Sequence, residues 1–165
     1  MTNAGFTELL LALLAIILVV AAVIDVRTFT ISNGLNATVA LLAPAYWWAT
    51  GLPLWPDAAI HVAVAGGVFL LLAATFYMGM MGGGDVKLAA AIALWFQPLT
   101  TLKFLVIMSL AGGVLTLIVL AIHKKRGKPP VDGEAPPARP EVPYGVAIAA
   151  GALWILAQRF LNQFA

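Results

Sequence analysis

Long apolar runs broken by short polar stretches set the pattern of this chain. Thr7–Ile24 is apolar almost throughout, and Asp25-Val26-Arg27 closes it. A polar stretch follows to Asn36, containing Thr28, Thr30, Ser32 and the turn dipeptide Asn33-Gly34. Leu35–Thr50 is apolar again, with Pro44 inside it. Tyr46, Trp47 and Trp48 near its end are aromatics of the kind that favour the membrane–water interface. Gly51–Asp57 is a short loop. Ala58–Met78 makes a third run, in which Gly66-Gly67 predicts a flat patch for close helix packing. A glycine-rich loop, Gly79–Gly84, leads to a short fourth segment, Asp85–Trp95, which Gln97-Pro98 stops. Leu102–Ile122 is the fifth run, and Gly112-Gly113 echoes the earlier glycine pair. Residues 123–142 form the one long polar loop, basic, rich in proline and predicted to be flexible. Pro143–Leu161 is the sixth run.

This pattern predicts an all-α, polytopic membrane protein: one domain over residues 1–165, a bundle of about six transmembrane helices. The first run reads as a retained span. No Lys or Arg precedes it, and no clean small-x-small cleavage site follows. The fourth segment is too short to cross about 30 Å of hydrocarbon. It must start inside the bilayer boundary or lie in a protein-lined region, which sinks Asp85 slightly into the membrane.

Composition supports the pattern. Of 165 residues, 62% are hydrophobic and 10% charged, where a soluble domain carries about a quarter charged. Cysteine is absent, which excludes disulfides, thiol catalysis and cysteine-ligated zinc. His61 and His123 are too few to suggest a metal site, and no cofactor is expected. The lipid bilayer is the expected surrounding, and nucleic acid is not an expected partner. Alternating loops put Arg27, Lys87, Lys124, Lys125, Arg126, Lys128 and Arg139 on one side, against Lys103 and Arg159 on the other. The cation-rich side is therefore expected to be cytoplasmic, with both termini outside.

In so apolar a chain, Gly82-Gly83-Gly84-Asp85-Val86-Lys87 stands out. Asp25 ends the first span and Asp85 begins the fourth, so both fall at the cytoplasmic end. Two carboxylates can form an acid-protease pair: one acts as general base on a water, the other, protonated, polarises the scissile carbonyl. Glycines beside Asp85 would let a peptide approach the backbone closely. Plainer alternatives stand beside this. Taken alone, Asp85 reads first as a helix N-cap after a glycine turn, and Asp25 as an interfacial charge that ends a span, with Arg27 as a potential partner. Lys87 is either an interfacial anchor or part of a site, and Asn33 either makes a turn or holds substrate. In Pro143-Tyr144-Gly145, proline suits a first helical turn, tyrosine the interface and glycine close packing; the same junction could lie beside the aspartates.

Asp25-Val26-Arg27 through Ile31-Ser32-Asn33, Gly82–Lys87, and Pro143-Tyr144-Gly145-Val146-Ala147-Ile148, in that order and within six spans, resemble the GxGD-type aspartic prepilin peptidases of type IV pili. The likeness is to the small form associated with Flp-type, tight-adherence pili, and it covers nearly the whole chain. The resemblance implies Asp25 and Asp85 as the catalytic pair, Gly82 and Gly84 as the motif glycines, and Lys87 as the basic residue after the motif. It implies removal of a prepilin leader just after a glycine, at the cytoplasmic face of a bacterial inner membrane, with no metal. Larger bifunctional members carry a cysteine-containing insertion and also N-methylate the new terminus; without either, N-methyltransferase activity is not expected here. Ser32 stands where members often have proline, and should keep the turn with a looser backbone.

Two alternatives remain at this level. GxGD intramembrane proteases of the presenilin or signal-peptide-peptidase kind pair the motif with a Tyr-Asp on the preceding helix, which this chain lacks. A non-enzymatic assembly factor or small transporter would suit the Gly-Gly spans and broken fourth helix, although no inverted repeat is seen.

Overall fold

The computed structural model describes residues 3–126 and 141–162. Residues 127–140, on which most of the expected flexible loop falls, lie outside the described residues. Six α-helices follow one another: α1 Ala4–Thr28, α2 Asn33–Thr50, α3 Ala59–Tyr77, α4 Gly83–Ala93, α5 Pro98–Arg126 and α6 Tyr144–Leu161. A π-type turn at Leu54–Ala58 leads into α3, and no strand occurs among the described residues. Four stretches, namely α1, Leu54–Tyr77, Pro98–Lys124 and α6, are long and apolar enough to cross a membrane. The chain is an all-helical polytopic membrane protein.

Three boundaries differ from the sequence pattern. α1 continues past Asp25 to Thr28, then ends at Phe29, which takes a left-handed conformation (φ 52°) and donates its amide to the Asp25 carbonyl at 2.8 Å. Asn33-Gly34 makes no turn. Ser32 occupies the N-cap of α2, its Oγ accepting the Leu35 amide at 3.3 Å, so Asn33 and Gly34 are already helical. α5 starts at Pro98 and runs through His123 to Arg126, carrying the helix into the basic stretch.

The bundle closes around α4, which packs against α2, α3 and α6, while α1 packs on α2 and α6, and α5 on α6. Leu88, Ala89, Ile92 and Ala93 of α4 are fully buried, with Leu14 and Leu18 of α1, Val39 of α2 and Ile148 of α6. The outer faces are apolar too, exposing Ile16, Leu70, Leu117 and Trp154. Helices apolar all round suit a bundle whose outer surface meets lipid.

α4 has eleven residues, about 16 Å at 1.5 Å per residue, roughly half the hydrocarbon thickness. A helix that stops there leaves carbonyls without intrahelical partners, and hydrocarbon offers none. Neighbouring helices supply them. Trp47 Nε1 and His61 Nδ1 both reach the Leu94 carbonyl, at 2.9 and 3.0 Å. A carbonyl only accepts, so His61 carries its proton on Nδ1. Trp95 Nε1 donates to the Val39 carbonyl at 3.0 Å, and Thr101 Oγ1 to the Phe96 carbonyl at 3.3 Å. These bonds revise the expectation of an aromatic belt on α2. Only Trp48 is turned outward; Trp47 is half-buried and Tyr46 buried, with Tyr46 stacked on Trp95 at 5.1 Å.

The glycine pairs behave differently from expectation. A Cβ at Gly66 or Gly67 would meet nothing within 4 Å, because that face of α3 points away from the bundle. Gly112 does pack closely, against Tyr144, but Gly113 is open. The tightest helix contact is at Gly151, where a Cβ would lie 3.1 Å from the Met108 backbone nitrogen on α5. Gly151→Val should therefore lower stability in detergent by about 1–3 kcal/mol, whereas Gly67→Ala should leave it unchanged or raise it by up to about 1 kcal/mol. Thermal unfolding of the two variants beside the wild-type chain checks the contrast.

Candidate active site

Asp25 lies one turn from the end of α1 and is 1% exposed; Asp85 lies in the first turn of α4 and is 7% exposed. Sixty residues apart in sequence, the two aspartates come to one end of the bundle about a shared residue: Ile31 lies against Gly84, the neighbour of Asp85, and against Gly145, which also meets the Asp25 carboxyl. The N-cap alternative for Asp85 is revised by one turn. Gly82 holds the cap, and Asp85 is the third helical residue, its carboxyl turned back toward the Gly82 backbone. That is the position from which an acidic side chain reaches a cap amide.

Asp25 is approached from a second helix. Pro143 stands at the N-cap of α6, and the backbone amides of Gly145 and Val146 face the Asp25 carboxyl. An α-helix N-terminus presents unpaired N–H groups and the positive end of its dipole, which suits an anionic group. Asp25 Oδ2 is nonetheless buried without a hydrogen-bond partner among the described residues. It remains free for a water or for a proton shared with Asp85.

Two glycines make the approach possible. A Cβ on Gly145 would sit 2.8 Å from Asp25 Oδ2 and 2.7 Å from Ile31 Cδ1. A Cβ on Gly84 would sit 2.6 Å from the Ile31 carbonyl oxygen. All three distances are too short for a Cβ: at Gly84 it would meet backbone, so α4 closes on the α1–α2 connection only because this position is glycine, and at Gly145 it would displace the Ile31 and Asp25 side chains. A Cβ on Gly82 would meet the Asp85 carboxyl at 2.8 Å, whereas at Gly83 it would meet only the Phe76 ring, at 3.3 Å.

The remaining singled-out residues fall into place around this core. Lys87 Nζ donates to Asn33 Oδ1 at 2.8 Å, an exposed link between the starts of α4 and α2. Tyr144 packs its ring against Gly112 on α5. It also borders a cavity of about 580 Å³ between α3 and α5, whose near edge is Met81, the residue before Gly82. Two supports were not singled out from sequence. Ile31 forms the shared wall between Gly84 and Gly145. Asn36, buried in α2, donates from Nδ2 to the Gly84 carbonyl at 2.9 Å. Its signal was available: Asn36, Val39, Ala43 and Tyr46 recur at helical spacing, putting one amide at the head of an otherwise inward stripe. Among the described residues, no group of three or more His, Asp or Glu is arranged to hold a metal.

Residues 12–117 match the type IV leader peptidase family. The chain belongs to that family. The match takes in Asp25 and all of Gly82–Lys87, and it ends before Pro143. No curated protein matches the chain, and no solved structure does. As a member of the leader peptidase family it is a protease by descent, with leader-bearing peptides as its substrate class.

Asn36 provides a direct check on how this family member holds its motif. Asn36→Leu removes the donor to Gly84 and should destabilise the folded chain by about 1–3 kcal/mol. Amide exchange should rise at Gly83–Lys87, with the far end of α4 unchanged.

Proposed function

We propose that this chain is an aspartic endopeptidase that removes the leader of type IV, Flp-like prepilins at the cytoplasmic face of a bacterial inner membrane, with both termini outside. The observation that carries the proposal is that two buried carboxyls from separate helices, Asp25 and Asp85, stand at one end of the bundle about the same residue, Ile31. Family membership supports cleavage of leader peptides, and the aspartic mechanism follows from the pair.

In that mechanism one carboxyl holds a proton and the other is ionised, since two charges at close range in a water-poor site are costly. The ionised carboxylate takes a proton from a water as its oxygen attacks the scissile carbonyl carbon. The protonated carboxyl hydrogen-bonds to the carbonyl oxygen and stabilises the charge developing there. Collapse of the tetrahedral species breaks the C–N bond, and the leaving nitrogen takes up a proton from the pair. Gly84 lets α4 settle on the Ile31 backbone, which sets the position of Asp85. The cavity bordered by Met81 and Tyr144 lies on the apolar flank of the bundle next to the motif in sequence, and would receive the hydrophobic segment of a substrate. Lys87, held to Asn33, places a cation at the rim. Cleavage is proposed as the single activity, without N-methyl transfer.

Coexpression with an Flp-like prepilin, followed by leader removal on a gel, tests the assignment. Asp25→Asn and Asp85→Asn should each lower cleavage by on the order of 100-fold or more while the protein still accumulates in membranes. Near-normal processing by either variant contradicts it. In the same assay Gly84→Ala, which drives a methyl into the Ile31 backbone, should lose at least about tenfold. Gly83→Ala, facing only a movable ring, should retain most activity.

A further inference from the structure

The half-length α4 leaves a gap at the far end of the bundle. Trp95, Phe96 and Gln97, just past the end of α4, border a space walled also by residues of α2, α5 and α6. A cavity of about 600 Å³ fills it. Leu11, in its wall, stands fourteen residues before Asp25 on α1, a rise of about 21 Å. The cavity therefore lies at the opposite end from the aspartates and takes no part in their chemistry.

Its wall is cationic. Lys103 of α5 and Arg159 of α6 both line it, together with the amides of Gln97, Gln158 and Asn162 and the hydroxyl of Thr100. No Asp or Glu lines it among the described residues. Arg159 is fixed in position: its Nη1 donates to the Tyr46 hydroxyl, and the guanidinium lies 5.8 Å from the centre of the Tyr46 ring. Most of its five N–H groups remain for another acceptor. Two cations facing one cavity without an acid repel each other, and an anion between them reverses the sign of that interaction. A guanidinium fork, an ammonium and several amide donors match the several oxygens of a phosphate better than a single carboxylate. The cavity also opens at the level where α2 and α6 end, which in a spanning bundle is the level of lipid headgroups.

We propose that this cavity binds a phosphate group, supplied by an acidic phospholipid headgroup or by free phosphate. The full chain in neutral detergent is titrated separately with phosphatidylglycerol, phosphatidylcholine and inorganic phosphate, and the thermal unfolding midpoint is followed. The wild-type chain is compared with Lys103→Gln, with Lys103→Gln/Arg159→Gln, and with Lys124→Gln/Lys125→Gln. The last removes charge from the basic end of α5, which attracts acidic lipid on its own account. Phosphatidylglycerol should raise the wild-type midpoint by several degrees more than phosphatidylcholine does. Lys103→Gln should lose at least half of that rise, the Lys103/Arg159 variant should lose it all, and the Lys124/Lys125 variant should keep it. A rise given by inorganic phosphate alone, and lost in the same variants, supports the proposal with free phosphate as the source. The proposal is overturned if Lys103→Gln keeps the full rise, if only the Lys124/Lys125 variant loses it, or if neither source shifts the wild-type chain. Lys103 is exposed, so its single variant decides the matter even if loss of Arg159 prevents folding.

Discussion

An eleven-residue helix cannot cross a bilayer, and the arrangement of this bundle follows from that constraint on α4. Its carbonyl end stops part-way through the bundle, beside the cavity at Gln97, and neighbouring helices cap it from the side. Trp47 and His61 do this at Leu94, while Trp95 ties the end of the break back to Val39 on α2. Each bond reaches between elements far apart in sequence. Together they draw α2 and α3 onto α4 and fix its depth. Because the far end is anchored, the near end is placed as well, and with it Asp85.

The other aspartate depends on close approach rather than on capping. α1 brings Asp25 to the same end of the bundle, and α6 begins directly against it. Glycine at 145 leaves the Asp25 and Ile31 side chains their positions, and only glycine at 84 lets α4 settle on the Ile31 backbone. Asn36 then holds the Gly84 carbonyl from α2. Four helices thus meet at two carboxyls, with side chains deleted wherever the backbones would collide. The glycine motif lets the helices pack, since protein atoms stand beside each of its three glycines.

Much of this was legible in the sequence, for identifiable reasons. Apolar run length marks membrane helices strongly, so all six helices were anticipated, including the shortness of α4. Asp25 and Asp85 stood out because charge is rare in such runs, and alternation of the helices put them at one end. What pattern could not supply was the direction in which residues face. Gly66-Gly67 looked like a packing surface, yet points outward; Gly151, unremarked in its run, makes the tight contact. Trp47 and Tyr46 looked interfacial because aromatics usually are, but an internal helix end recruited them. Asn33-Gly34 has the letters of a turn, and Ser32 one residue earlier converts it into a helix start. These are tertiary outcomes, decided by which neighbour needs a donor or a gap.

The central claim is that Asp25 and Asp85 form one pair. It is tested most directly by a thiol cross-link, for which this chain is suited because it has no cysteine of its own. The double variant Asp25→Cys/Asp85→Cys is purified in detergent, treated with a short bifunctional maleimide, and weighed intact. The account predicts a single linker bridging both thiols in most molecules, and two separate one-ended linkers once the chain is unfolded before treatment. Two one-ended linkers on the folded protein would contradict it.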